Sequence, residues 1–134
     1  MGSIWDQKGR EKVLLMDDEA EIREVAIDIL NYLGFDVTVA EDGIEAINKY
    51  VTEMRKSGHP FDAVIMDLSI PGGMGGKECI QKLKKIDPDV KALVSSGYSF
   101  DPVIENFQDY GFLGIVPKPY EIETLSQALL RVFH

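Results

Sequence analysis

The sequence predicts a single α/β domain built on a doubly wound, five-stranded parallel sheet. Two observations lead there. Five short runs rich in Val, Ile and Leu alternate with five stretches of helical period. The runs are too continuously apolar for strands with one wet face, so helices must cover the sheet on both sides. A length of 134 residues suits one such domain and leaves nothing for a second.

Residues 1–11 show no clear period and read as a tail or linker, with Met1-Gly2-Ser3 of the kind left by cloning. The domain proper is expected over residues 12–134. Val13-Leu14-Leu15-Met16 reads as a first buried strand, ending in Asp17-Asp18-Glu19. Ile22, Val25, Ala26, Ile29, Leu30 and Leu33 then mark one face of a helix that Gly34 stops. Asp36–Ala40 is a second strand, less apolar and so suited to a sheet edge. Ile44, Ile47, Val51 and Met54 mark a second helix, ending before Gly58. Ala63-Val64-Ile65-Met66 is a third strand capped by Asp67. A glycine-rich loop over 69–76 reads as a flexible lead-in, open to a partner, to a third helix marked by Ile80, Leu83 and Ile86. Ala92-Leu93-Val94-Ser95 is a fourth strand. Asp101-Pro102 starts a short fourth helix, with Asp as N-cap and Pro at the first helical position. Leu113–Val116 is a fifth strand, and Ile122, Leu125, Ala128, Leu129 and Val132 mark the last helix. Right-handed crossovers leave few topologies, and the order 2-1-3-4-5 of the flavodoxin-like fold suits five such units.

Fourteen Lys and Arg against 23 Asp and Glu leave a formal net charge of −9. A chain this acidic repels phosphate backbones, which argues against nucleic acid as a partner. No apolar run is long enough to cross a bilayer, so no membrane contact is expected of this segment. The single cysteine, Cys79, cannot close an internal disulfide or build a multi-cysteine zinc site. That fits a reducing compartment, and a cytoplasmic location is expected.

Ligands of open α/β sheets bind at the carboxyl ends of the strands. The residues there are Asp17, Asp18 and Glu19, then Asp67, then Ser95 and Ser96, then Lys118 between two prolines. Carboxylates gathered at one edge repel one another, and a hard divalent cation such as Mg²⁺ relieves this through oxygen ligands. One carboxylate then remains available as a nucleophile toward a phosphoryl group. Lys118 can supply positive charge to the new oxygens, and Ser96 or Ser95 a hydroxyl donor.

This set resembles the receiver domains of two-component response regulators. The matching residues are Val13–Glu19, Met66-Asp67-Leu68 with Pro71-Gly72 behind it, Ser95-Ser96-Gly97 and Lys118-Pro119. The resemblance covers residues 12–133, and the stretches 67–78 and 95–99 are most similar to receivers of hybrid sensor histidine kinases. It implies that Asp67 accepts a phosphoryl group from a phosphohistidine. It implies Mg²⁺ held by Asp17, Asp18, Asp67 and the backbone carbonyl of Ser69. Ser96 becomes the switch hydroxyl because a small residue, Gly97, follows it. Lys118 touches the phosphoryl group, and its bond to Pro119 is expected to be cis. Ser69 and Tyr98 are implied to tune the lifetime of the acyl phosphate. Partners would be a histidine kinase or a histidine phosphotransfer protein, with a homodimer through the helix-four face as a further expectation. The segment would catalyse no more than its own phosphorylation and dephosphorylation, whether it stands alone or forms part of a kinase.

One position departs from the family. Many receivers carry Tyr or Phe three residues before the lysine as a rotating reporter, and here Ile115 stands there. Tyr98, Tyr120 or helix four are left to serve in its place. Two other readings compete. An unphosphorylated docking module would keep the fold without the reaction, which the complete residue set argues against. A dehalogenase-like hydrolase needs a second Asp two residues after the nucleophile, where Ser69 stands. His59, His134 and Cys79 read as surface or packing residues.

Overall fold

A computed structural model describes residues 10–97 and 101–133. Strands β1 (Lys12–Met16), β2 (Asp36–Ala40), β3 (Ala63–Asp67), β4 (Ala92–Ser96) and β5 (Gly114–Pro117) alternate with helices. These are α1 (Ala20–Tyr32), α2 (Gly43–Ser57), α3 (Gly76–Ile86), α4 (Pro102–Glu105) and α5 (Ile122–Phe133). All strand pairs are parallel and the order is β2-β1-β3-β4-β5, as expected. β2 is an edge, as its weaker apolar pattern suggested.

Side chains alternate across a strand, so each strand feeds both layers. Leu14, Met16, Val64, Met66 and Val94 pack under α2, α3 and α4. Val13, Leu15, Ala63, Ile65 and Leu93 pack under α1 and α5. Each fully buried leucine contributes roughly 1.5–3 kcal/mol to holding these layers. Cys79 belongs to the first layer, where burial, with the charges of Asp42 and Glu78 adding to it, pushes its thiol up to about 12. It packs as a small apolar group.

The helix ends carry their sequence signals. Gly34 adopts φ 97°, and the N–H groups of Gly34 and Phe35 close onto the carbonyls of Asn31 and Leu30, ending α1. Arg10 adds its guanidinium to the carbonyls of Gly34 and Asn31, and the Glu11 carbonyl accepts from Asp36. Both residues, expected in the tail, therefore already touch the domain. Asp42 Oδ1 caps α2 by accepting from the Glu45 N–H at 2.9 Å, and Asp101 caps α4 from Val103 at 2.9 Å.

Some apolar faces differ from the expected ones. α2 buries Gly43, Ala46 and Tyr50, whereas Ile44 is 58% exposed. The inward face of α2 is the one carrying Gly43, Ala46 and Tyr50, and Met74 packs against it at Gly43, its Cγ 2.6 Å from where a Cβ would stand. Leu113 precedes β5 and is exposed, and Val25, Ile86 and Ile122 are also largely in solvent. α4 is a single turn, continued by a 3-10 turn over Phe107–Tyr110, and it buries its apolar residues Val103 and Ile104.

The β2 edge is partly blunted, where the Lys49 ammonium donates to the Val39 carbonyl.

Candidate functional site

The carboxyl ends of β1, β3, β4 and β5 bring the expected residues to one edge. Asp17 follows β1 and is fully buried. Its N–H donates to the Ala40 carbonyl at 3.0 Å, and its Oδ1 accepts from the Glu19 N–H at 2.9 Å. Asp67 ends β3 and is 4% exposed. Its Oδ1 accepts from the Ser69 N–H at 3.4 Å.

Lys118 lies just past β5 and joins the two acids. Its Nζ is 3.1 Å from Asp67 Oδ2, as a hydrogen-bond donor, and 3.0 Å from Asp17 Oδ2. The second approach is an ion pair off the hydrogen-bonding angle, so Asp17 Oδ2 has no hydrogen-bond partner among the described residues. Taken alone, a lysine between two prolines reads as a solvated turn residue. The lysine side chain is only 14% exposed, and its peptide bond to Pro119 is cis.

The electrostatics follow from this crowding. Burial pushes the Asp67 carboxyl above the usual range, and the charge of Asp17 adds to the effect. Lys118 opposes both without cancelling them. Burial works against the charged form of Lys118, but Asp17 and Asp67 outweigh it and hold the ammonium above the ordinary lysine value.

Carboxylate oxygens of Asp17, Asp18 and Glu19 lie within 4.8 Å of one another. Asp18 and Glu19 are exposed, so this acidic wall runs from the buried Asp17 out to solvent. The donors are hard oxygens, and Asp17 Oδ2 is a buried oxygen without a hydrogen bond. Both features fit Mg²⁺, which takes few carboxylates and keeps waters.

Ser95 and Ser96 separate clearly. Ser95 is fully buried, pairs with Asp67 in the β3–β4 ladder, and its Oγ accepts from the Tyr120 hydroxyl at 2.7 Å. Ser96 is half-buried at the end of β4, and its carbonyl accepts from the Lys118 N–H at 3.3 Å. Ser69 is exposed. Tyr98 lies outside the described residues.

Residues 13–130 match the family model of the response regulator receiver domain. The chain belongs to the response regulator receiver family. The receiver is 32% identical to the chemotaxis protein CheY of Thermotoga maritima over 123 residues, covering 91% of this chain and 97% of that one. It is 31% identical to the sensor kinase CckA of Brucella abortus over 121 residues, covering 90% of this chain but 12% of the kinase. The chain thus spans a small part of that relative. The response regulator TrrA of Thermotoga maritima, solved in complex with Mg²⁺ and BeF, superposes with a TM-score of 0.77 at 25% identity, covering 91% of this chain and 98% of that one.

Three parts of the receiver site carried little sequence signal. Arg23, one turn into α1, donates from Nη1 to the Asp17 carbonyl at 2.8 Å and so steadies the acidic loop. Its position after Glu19 marks a helix, not a site. Tyr120 is 5% exposed and tied to Ser95, which removes it as a freely rotating aromatic reporter. The loop after Asp67 is closely fitted and not loose. A Cβ on Gly75 would stand 2.3 Å from the Leu68 carbonyl, and one on Gly76 3.1 Å from the Asp67 carbonyl. The Met74 carbonyl accepts from the Gly43 N–H at 2.8 Å. Gly75 and Gly76 serve close backbone approach, which glycine content alone does not distinguish from flexibility. Among the described residues no helix is long and apolar enough to cross a membrane.

Proposed function

We propose that this receiver accepts a phosphoryl group on Asp67 from a phosphohistidine of a histidine kinase or histidine phosphotransfer protein. The observation that carries the reading is the placement of one half-buried ammonium, Lys118, against both Asp67 and Asp17. In the transfer an Asp67 carboxylate oxygen forms a bond to phosphorus while the phosphorus–nitrogen bond to the histidine breaks. The imidazole nitrogen leaves with the electron pair and takes a proton from solvent. The product is an acyl phosphate on Asp67 and a neutral histidine.

Asp17 and Asp18, with Asp67 and the Ser69 carbonyl, are the proposed holders of Mg²⁺. A bound Mg²⁺ would supply positive charge against the carboxylates and the phosphoryl oxygens. Lys118 adds a second cation at Asp67, already in place before reaction. Ser96 offers a hydroxyl from the end of β4. Its movement toward the phosphoryl oxygens would draw on the segment before α4 and shift the surface there. Ser69, and Tyr98 two residues past Ser96, are the proposed modulators of phosphoryl lifetime. A homodimer through the helix-four face would rest on polar residues, since α4 keeps Val103 and Ile104 inside.

The parent protein is proposed to be a hybrid sensor histidine kinase, with a stand-alone regulator as the other architecture. The likenesses to CckA and CheY are compatible with either. The parent open reading frame decides: a kinase core upstream supports the first.

The experiment is Mg²⁺-dependent labelling of the chain with acetyl phosphate. Wild type should acquire one base-labile phosphoryl group that hydroxylamine also releases, and Asp67→Asn should acquire none. Label retained by Asp67→Asn removes Asp67 as acceptor. No label on wild type, with Mg²⁺ present and a phosphorylated histidine donor supplied, leaves the docking-module reading.

A further inference from the structure

Tyr120 lies two residues past Lys118, yet it belongs to the buried layer beneath the site. Its hydroxyl donates to Ser95 Oγ at 2.7 Å. Ser95 stands beside Asp67 in the ladder, and the Ser95 carbonyl accepts from the Leu68 N–H at 2.9 Å. At the other end of the segment the Lys118 N–H donates to the Ser96 carbonyl at 3.3 Å. The segment 118–120 is therefore fastened to the end of β4 twice, once through its backbone and once through a side chain.

A lysine stem is long and rotatable, so the direction of its ammonium depends on how firmly its root is held. Lys118 nonetheless keeps its Nζ at 3.0 Å and 3.1 Å from two carboxylates. The β5–β4 ladder and the Ser96 bond hold the near end of the segment. The Tyr120–Ser95 bond gives its far end a directional tie that packing of the ring alone does not supply.

We propose that Tyr120 is a positioning residue for phosphoryl transfer: its hydroxyl, latched to Ser95, fixes the root of Lys118 so that the ammonium stays over Asp67. The inference rests on the reading of Asp67 as acceptor. A phenylalanine at 120 would fill the same space but leave Ser95 Oγ without its donor in a dry layer, where a hydrogen bond holds direction best. Burial holds the phenol well above the ordinary tyrosine value. The bond to Ser95 opposes this, and the charges of Asp17 and Asp67 reinforce it. At neutral pH the phenol therefore keeps the proton it donates.

The test uses the full chain with Mg²⁺ and acetyl phosphate, comparing wild type, Tyr120→Phe and Ser95→Ala. Either variant breaks the same bond. Each is expected to slow labelling about tenfold to hundredfold, the scale of a misplaced catalytic group. The second readout is the ¹⁵Nζ resonance of Lys118, which should shift or broaden in both variants while core methyl resonances stay in place. Loss of packing alone would not move that resonance selectively. If Tyr120→Phe fails to fold by circular dichroism, Ser95→Ala carries both measurements. Wild-type labelling rates in the folded variants, or slowed labelling with an unmoved Lys118 resonance, overturn the latch and leave the acceptor assignment standing. Label retained on Asp67→Asn removes the acceptor, and the latch with it.

Discussion

Lys118 lies 51 residues from Asp67 in the chain, and its ammonium stands 3.1 Å from Asp67 Oδ2. The same nitrogen is 3.0 Å from the fully buried Asp17. Two carboxylates thus share one cation at the end of the sheet. Most of the site's expected behaviour follows from that ratio.

Lys118→Met should leave two buried acids without a counter-charge. Breaking a buried pair costs about 3–5 kcal/mol, and the partial exposure of Lys118 reduces this to about 2–3 kcal/mol. Urea unfolding at pH 7 should show the loss. It should shrink as the pH falls and Asp67 takes up a proton.

Asp67→Asn should stabilise the metal-free protein at neutral pH, by about 1 kcal/mol, the scale of one surplus charge partly offset by its lysine. The sign follows from the raised Asp67 pKa. Between the unfolded and folded values the native state holds the extra proton, so wild-type stability falls as pH rises through that window. The advantage of the variant should vanish below the unfolded carboxylate pKa. Lys118 acts at the other end of the scale. Its stabilisation is complete below the ordinary lysine value and is lost as pH rises through the higher folded one. Thermal unfolding across pH 3–12 would record both limbs, and flat behaviour of wild type at the alkaline end would count against the Lys118 assignment.

Mg²⁺ should raise the unfolding temperature of wild type by mass action. At a hundredfold excess over its dissociation constant the gain is about 2.7 kcal/mol. Asp17→Asn and Asp18→Asn should each lose most of it, and calorimetry with and without chelator measures it. An equal gain in wild type and Asp17→Asn would place the ion elsewhere.

Gly75→Ala should be costly despite its small size. The new methyl meets the Leu68 carbonyl at 2.3 Å, so the lead-in to α3 must shift. An overpacked site of this kind costs about 1–3 kcal/mol. Gly72→Ala would also be costly, through its positive φ of 75° and not through a clash, since nothing lies within 4 Å of its Cβ. A displaced backbone signal at Leu68 in the first variant and not in the second would separate the two causes.

The fold was legible because the buried strands announce themselves as apolar runs, and three of them stop at residues of the proposed site. Val13–Met16 stops at Asp17, Ala63–Met66 at Asp67, and the strand from Gly114 just before Lys118. Parallel topology then gathers those stops at one edge, which the chain order alone implies. What escaped reading depends on contacts between distant segments. Ile44 looked like core, but α2 turns Gly43, Ala46 and Tyr50 inward and leaves Ile44 outside. Leu113 looked like the start of a strand, and its side chain lies outside. The two adjacent serines are ranked in the sequence only by the resemblance, which favours Ser96 before Gly97; that Ser95 is buried and bonded to Tyr120 becomes visible only in the fold. The glycines at 75 and 76 have a steric reason that becomes visible once the Leu68 and Asp67 carbonyls are in place.

Lys49 on the Val39 carbonyl occupies an outward acceptor of β2, which makes that margin a poorer template for sideways growth. Bare margins of this kind are where chains zip into fibres. An adhesive β2 margin would invite copies to clump where they gather. One amine lessens that hazard without touching the working end.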